Sequence, residues 1–169
     1  MKKVLATLIA SASLFGAHVA NAQTWTPTSS SAPVLKWEGL VTVQKGSGPI
    51  LDCTLYVEVD NPGSGATTTG RAKLDTPAHP ACPYIVLVGM PYEVDYDAGL
   101  PETLTFRAVY AETPLTPGDC SGDITAVLND GTDDSLDINA LLPEVLPGTG
   151  DCTIVGNLTL VDPSAVDIS

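Results

Sequence analysis

The sequence predicts an all-β domain, an antiparallel β-sandwich or barrel-like fold with two disulfides, after a cleaved signal peptide. Three observations predict it. Apolar residues recur at every second position through much of the chain, most of the 15 Gly and 14 Pro fall between those runs, and all four cysteines lie beyond an export signal. Alternation at period two puts one strand face in a core and the other in water. Short strands separated by Gly- and Pro-rich turns at roughly ten-residue intervals fit a sandwich or barrel.

The export signal is read first because it comes first. Met1-Lys2-Lys3 precedes an apolar run from Val4 to Phe15, and Ala20-Asn21-Ala22 ends the segment. A basic start, a short apolar stretch and an Ala-x-Ala end mark a secretory signal peptide over 1–22, cleaved between Ala22 and Gln23. The run is short for a bilayer span, and no later apolar run reaches that length. Residues 23–33, with Thr26-Pro27-Thr28 and three serines, read as a flexible lead-in. Residues 34–169 then form a single all-β domain.

The strands follow in order. Leu35, Trp37, Val41 and Val43 share one face, and Leu51, Cys53, Leu55, Val57 and Val59 share the next. Asn61 to Gly65 is a turn cluster, and Thr67 to Asp75 alternates weakly. Tyr84-Ile85-Val86-Leu87-Val88 is continuously apolar, the pattern of a strand buried on both sides. Tyr92 to Asp97 alternates with acids, as a strand with one solvated face would. Leu104, Phe106, Ala108 and Tyr110 are placed on one face of a further strand. Ile124, Ala126 and Leu128, then Leu136, Ile138 and Ala140, then Cys152, Ile154, Leu158 and Leu160 complete the series. Asp130-Gly131 reads as a hairpin turn rather than a calcium loop, because EF-hand spacing and its closing Glu are missing.

An even cysteine count in an exported chain implies disulfides. Gaps of 29, 38 and 32 residues between Cys53, Cys82, Cys120 and Cys152 do not suit a zinc site or an exchange motif. Of the three pairings, loop length favours Cys53–Cys82 and Cys120–Cys152, each worth roughly 3–4 kcal/mol by chain entropy.

The formal net charge is -13, from 20 acidic and 7 basic residues. That balance argues against nucleic acid, whose phosphates reward basic clusters, and against anionic membranes. Catalytic groupings are sparse. Beyond the signal, His79 is the one histidine, set in a proline-rich loop, and no Gly-x-Ser-x-Gly elbow, phosphate loop or dinucleotide fingerprint occurs. No catalytic residue, metal site or cofactor is assigned, and the expectation is a protein that is not an enzyme. Leu146-Pro147-Gly148-Thr149-Gly150 matches a cell-wall sorting pattern but lacks the apolar anchor and basic tail after it.

Several segments together carry a family resemblance: Thr42-Val43-Gln44-Lys45 before Leu51-Asp52-Cys53-Thr54, the Gly- and Thr-rich run from Gly65 to Leu74, Cys82, then Gly89-Met90-Pro91-Tyr92, and Gly150-Asp151-Cys152-Thr153-Ile154-Val155-Gly156. In this order the chain resembles the PraB family of exported activators of alkane oxidation, from about Val34 to the end. It departs in its stronger acidity and in longer loops at Pro114 to Gly118 and Leu141 to Gly150. The resemblance implies a secreted, non-enzymatic accessory of a bacterium, extracellular or at the cell surface with the periplasm as the other compartment, that aids hydrocarbon assimilation. A physical role at the oil–water interface would need an apolar patch, and Leu141, Leu142, Val145 and Leu146 are the candidates. The partner would be an apolar hydrocarbon surface. The alternative is a surface or matrix structural protein that self-associates through strand edges. A third reading, glycan binding through Trp37 or Tyr92, is weakened by the core-facing position of Trp37.

Overall fold

The computed structural model describes residues 34–60, 67–76, 79–129, 135–145 and 148–161. The signal peptide with its Ala22–Gln23 cleavage, the lead-in and the Asp130-Gly131 turn fall outside them. Among the described residues nine strands form: β1 (Val34–Lys45), β2 (Leu51–Asp60), β3 (Thr67–Asp75), β4 (Val86–Val88), β5 (Tyr92–Asp97), β6 (Thr103–Glu112), β7 (Cys120–Asn129), β8 (Ser135–Leu142) and β9 (Cys152–Val161).

The sheet closes on itself. Its order is β4-β6-β5-β3-β2-β1-β9-β8-β7, and β7 pairs back onto β6. All neighbours are antiparallel, so eight strands make an up-and-down barrel, with β4 attached beside β5 on the same edge of β6. Of the two architectures the sequence allows, the barrel forms. A barrel of this strand number has an interior filled by side chains or wide enough for one small ligand.

Alternation sets which side chains fill it. Leu35, Trp37 and Val41 of β1, Leu55, Val57 and Val59 of β2, Leu136 and Ile138 of β8, and Leu158 of β9 are buried inside. The outward positions carry Lys36, Glu38, Glu58, Lys73, Glu93, Arg107, Asp123 and Asp137. Polar residues outside and apolar ones inside reverse the pattern of a barrel whose outer band contacts lipid. Lys36 and Glu58, facing each other across β1 and β2, form an ion pair at 2.8 Å.

Two strand expectations are corrected. The run Tyr84 to Val88 is not a strand buried on both sides. Cys82–Tyr84 winds into a 3-10 turn with Pro83 in its first positions, and only Val86–Val88 pairs, onto Tyr110–Glu112. Tyr84 and Val86 face solvent while Ile85 and Leu87 pack on the core, because a barrel wall has one inner face. Beyond β4, Gly89 at φ 85 and Pro91, which has no N–H, end the pairing before β5 begins. The second correction concerns Leu104, Phe106, Ala108 and Tyr110. Leu104 and Phe106 do face inward, but the register shifts between Phe106 and Val109, with Ala108 at φ 50. This bulge turns Val109 and Ala111 inward instead and leaves Ala108 exposed.

The bulge is held from outside. Arg107 Nε donates to Asp95 Oδ2 and Nη1 to Asp123 Oδ2, both at 2.7 Å, while Asp123 Oδ1 accepts the Ala108 N–H at 2.9 Å. The Ala108 N–H and then the Arg107 guanidinium hold the Asp123 carboxyl below its ordinary range.

Candidate functional site

One end of the barrel carries both disulfides. β1 ends there and β2 begins, as do the links β3–β4, β6–β7 and β8–β9. The pairing is Cys53–Cys82 and Cys120–Cys152, with Cα–Cα distances of 5.6 and 6.0 Å. Cys53 belongs to the inward set of β2, so its bond draws the link through Cys82 against the barrel's mouth. Cys120–Cys152 ties the start of β7 to the start of β9, past the end of β8 that lies between them.

Behind this end lies an interior cavity of about 290 Å³. Its inner wall is apolar: Leu55 and Val57 from β2, Ala72 and Leu74 from β3, Phe106, Val109 and Ala111 from β6, and Ile138 from β8. The corrected register of β6 matters here, since the bulge is what aims Val109 and Ala111 into the space. Tyr92 also lines it and is buried. Its hydroxyl donates to the Val88 carbonyl at 2.8 Å, and burial pushes its pKa up to about 12.

Polar groups near the mouth are satisfied by one another. Lys45 is buried, and its Nζ lies 3.1 Å from Thr113 Oγ1 and 3.7 Å from Glu144 Oε1, and donates to the Gly118 carbonyl. The β6–β7 and β8–β9 loops are thereby fastened to the end of β1. Asp119 closes the β6–β7 loop by accepting from the Thr113 N–H at 3.1 Å and the Tyr110 hydroxyl at 2.9 Å. His79 accepts the Ala81 N–H on Nδ1 at 3.1 Å, and its side chain borders the cavity.

Three stretches of the rim, residues 46–50, 79–85 and 113–118, contain no Asp or Glu, in a chain that has 20. Asp119, the next residue of the β6–β7 loop, is turned to the Thr113 N–H and the Tyr110 hydroxyl. Each stretch presents a large apolar side chain to solvent: Ile50 at 63 %, Tyr84 at 57 % and Leu115 at 60 % exposure. Tyr84 and Leu115 line the cavity entrance as well, and Ile50 sits between Pro49 and Leu51, which do.

The expected patch at Leu141, Leu142, Val145 and Leu146 is divided by this geometry. Leu141 and Val145 are exposed, but Leu142 is only 4 % exposed and turns into the cavity. Strand alternation continues through Leu142, the last residue of β8, which therefore faces inward where a loop conformation was expected. Leu146 lies outside the described residues. Sequence reading missed Lys45, Ile50, Tyr84 and Leu115 as site residues. For Lys45 a signal was present: it falls on the inward period of Val41 and Val43.

A family model for alkane oxidation protein activators, PraA/PraB-like, matches residues 1–169. Comparison with curated proteins found no match, and comparison with solved structures found none either. The chain belongs to the alkane oxidation protein activator PraA/PraB-like family.

Proposed function

From that membership, we propose that the protein is an exported, non-catalytic accessory that adsorbs at the hydrocarbon–water interface through the disulfide end of its barrel and so aids alkane assimilation. The observation that carries this reading is the uncharged collar of Ile50, Tyr84 and Leu115. Exposed apolar side chains grouped at one end mark an interaction surface. Exposed stretches without acids in so acidic a chain favour an uncharged partner over a protein or membrane of either sign. With the collar in oil, the acidic outer wall stays in water. Coated droplets then repel one another and present more area to the cell.

The test uses hexadecane droplets. Ile50→Asp combined with Leu115→Asp changes two exposed side chains and keeps the core, so the circular dichroism spectrum is expected to be unchanged. Adsorption to hexadecane is expected to fall at least tenfold, and growth lag on hexadecane, compared with succinate, to lengthen in a strain carrying only this variant. Unchanged adsorption by the folded double variant would refute the collar as the adsorbing surface.

The self-associating alternative has less physical support. Among the described residues, barrel closure leaves the three-residue β4 beside β5 in place of a long free edge.

A further inference from the structure

We infer that the barrel interior behind the collar binds a single linear saturated hydrocarbon, an n-alkane of about ten to twelve carbons. A dry apolar cavity of about 150 Å³ accepts benzene. At about 290 Å³ this one has room for roughly twice as many carbons. Its wall joins inward side chains of the barrel strands, Leu55, Leu74 and Ile138 among them, to Leu87 of β4 and to Tyr84 and Leu115 of the mouth.

The ligand class follows from the polar groups at the cavity. A fatty acid would need a cation to receive its carboxylate. The lysine that borders the space is Lys45, and its ammonium already faces Glu144, Thr113 and the Gly118 carbonyl. Two of its three donors go to Thr113 and the Gly118 carbonyl, and its charge is already paired with Glu144. Among the described residues, every buried side-chain nitrogen and oxygen has a hydrogen-bond partner. A polar ligand group set against the apolar inner wall of Leu55, Val57, Leu74 and Ile138 would lose its water contacts without replacement, which is costly. A hydrocarbon brings no such group. The route in is the same end that carries the collar, so a chain drawn from an oil surface would enter without crossing bulk water. This site extends the interfacial reading and can fail separately from it.

The experiment equilibrates the purified exported protein with buffer saturated in n-dodecane, removes free ligand by gel filtration, and quantifies extracted alkane by gas chromatography. Laurate is run in parallel. Retention of about one dodecane per protein molecule is expected, with laurate at least tenfold lower. Ala111→Phe places a ring in the cavity from β6 and is expected to reduce dodecane retention at least tenfold while droplet adsorption persists. Leu74→Trp, which fills the space from β3, gives the same test should the first variant not fold. Three results would each overturn the inference: no retained dodecane, equal retention in folded cavity-filled variants, or laurate retained as well as dodecane.

Discussion

At the residue scale, the positions that govern the mouth are those that break a simple pattern. Gly46 turns β1 into β2 at φ 50, and a Cβ there would overlap the Thr149 carbonyl, whose loop it contacts. Its N–H also donates to the Asp151 carbonyl at 2.8 Å. Gly46→Ala is expected to cost about 1–2 kcal/mol or more, read as a lower urea midpoint with unchanged slope. Tyr92 gives a pH signature. Its folded pKa, about 12, lies above the ordinary value of 10.0, so the folded state holds this proton where the unfolded state has released it. The resulting stability is fully present below pH 10 and is lost as pH rises through the folded pKa. Tyr92→Phe should flatten that alkaline fall in thermal midpoint between pH 10 and 12, though it loses the bond to the Val88 carbonyl; an unchanged slope would assign the fall to other groups. Legibility at this scale was partial. Tyr92, Val94 and Tyr96 could be placed by alternation, whereas Ala108 could not, because an alanine at positive φ carries no compositional mark.

At the element scale, alternation located nearly every strand, since a barrel wall applies the same inside–outside rule along its whole length. It failed in two kinds of place. Within β6 a bulge reversed the rule after Phe106, and between Tyr84 and Val88 an apolar run was read as doubly buried although only one of its faces meets the core. Neither follows from period two, because both depend on what the neighbouring strand does. The bulge can be tested through its clamp. Asp123 has a depressed carboxyl pKa, so its contribution is present above the unfolded value near 3.8 and disappears as pH falls through the folded pKa. Asp123→Asn should lower the thermal midpoint at neutral pH, and the difference from wild type should narrow as pH falls below 3.8. The disulfides were legible from spacing, and their position at one end was not. Replacing Cys120 and Cys152 together by Ser is expected to remove roughly 3–4 kcal/mol. It should also raise hydrogen exchange selectively at β7 and β9 next to the mouth, whereas a uniform increase would mean the bond acts on global stability alone.

At the scale of the whole molecule, closure creates what no segment contains. Ile50, Tyr84 and Leu115 are far apart in the chain, and each alone is an ordinary exposed apolar residue. The up-and-down order puts their loops at one end of a single barrel, above one cavity. The four-residue patch read from sequence rested on local hydrophobicity, which cannot tell an inward strand end such as Leu142 from a surface loop. The separation of collar from charge leads to a salt prediction. Exported proteins adsorbed side by side on a droplet, without Lys2 and Lys3 of the signal, would each bring a formal charge of -15, so crowding is opposed by repulsion between walls. The screening length is about 30 Å at 0.01 M salt and about 10 Å at 0.1 M. Barrels packed on a surface would sit within the longer of these distances and near the limit of the shorter. Saturating coverage of hexadecane droplets should therefore rise between these salt concentrations, while the affinity of the first molecules, set by the uncharged collar, should change little. Droplets should also coalesce faster at the higher salt, because the same screening removes the repulsion between coated surfaces. A steep fall of initial affinity with salt would mean that charge, rather than the collar, holds the protein at the interface.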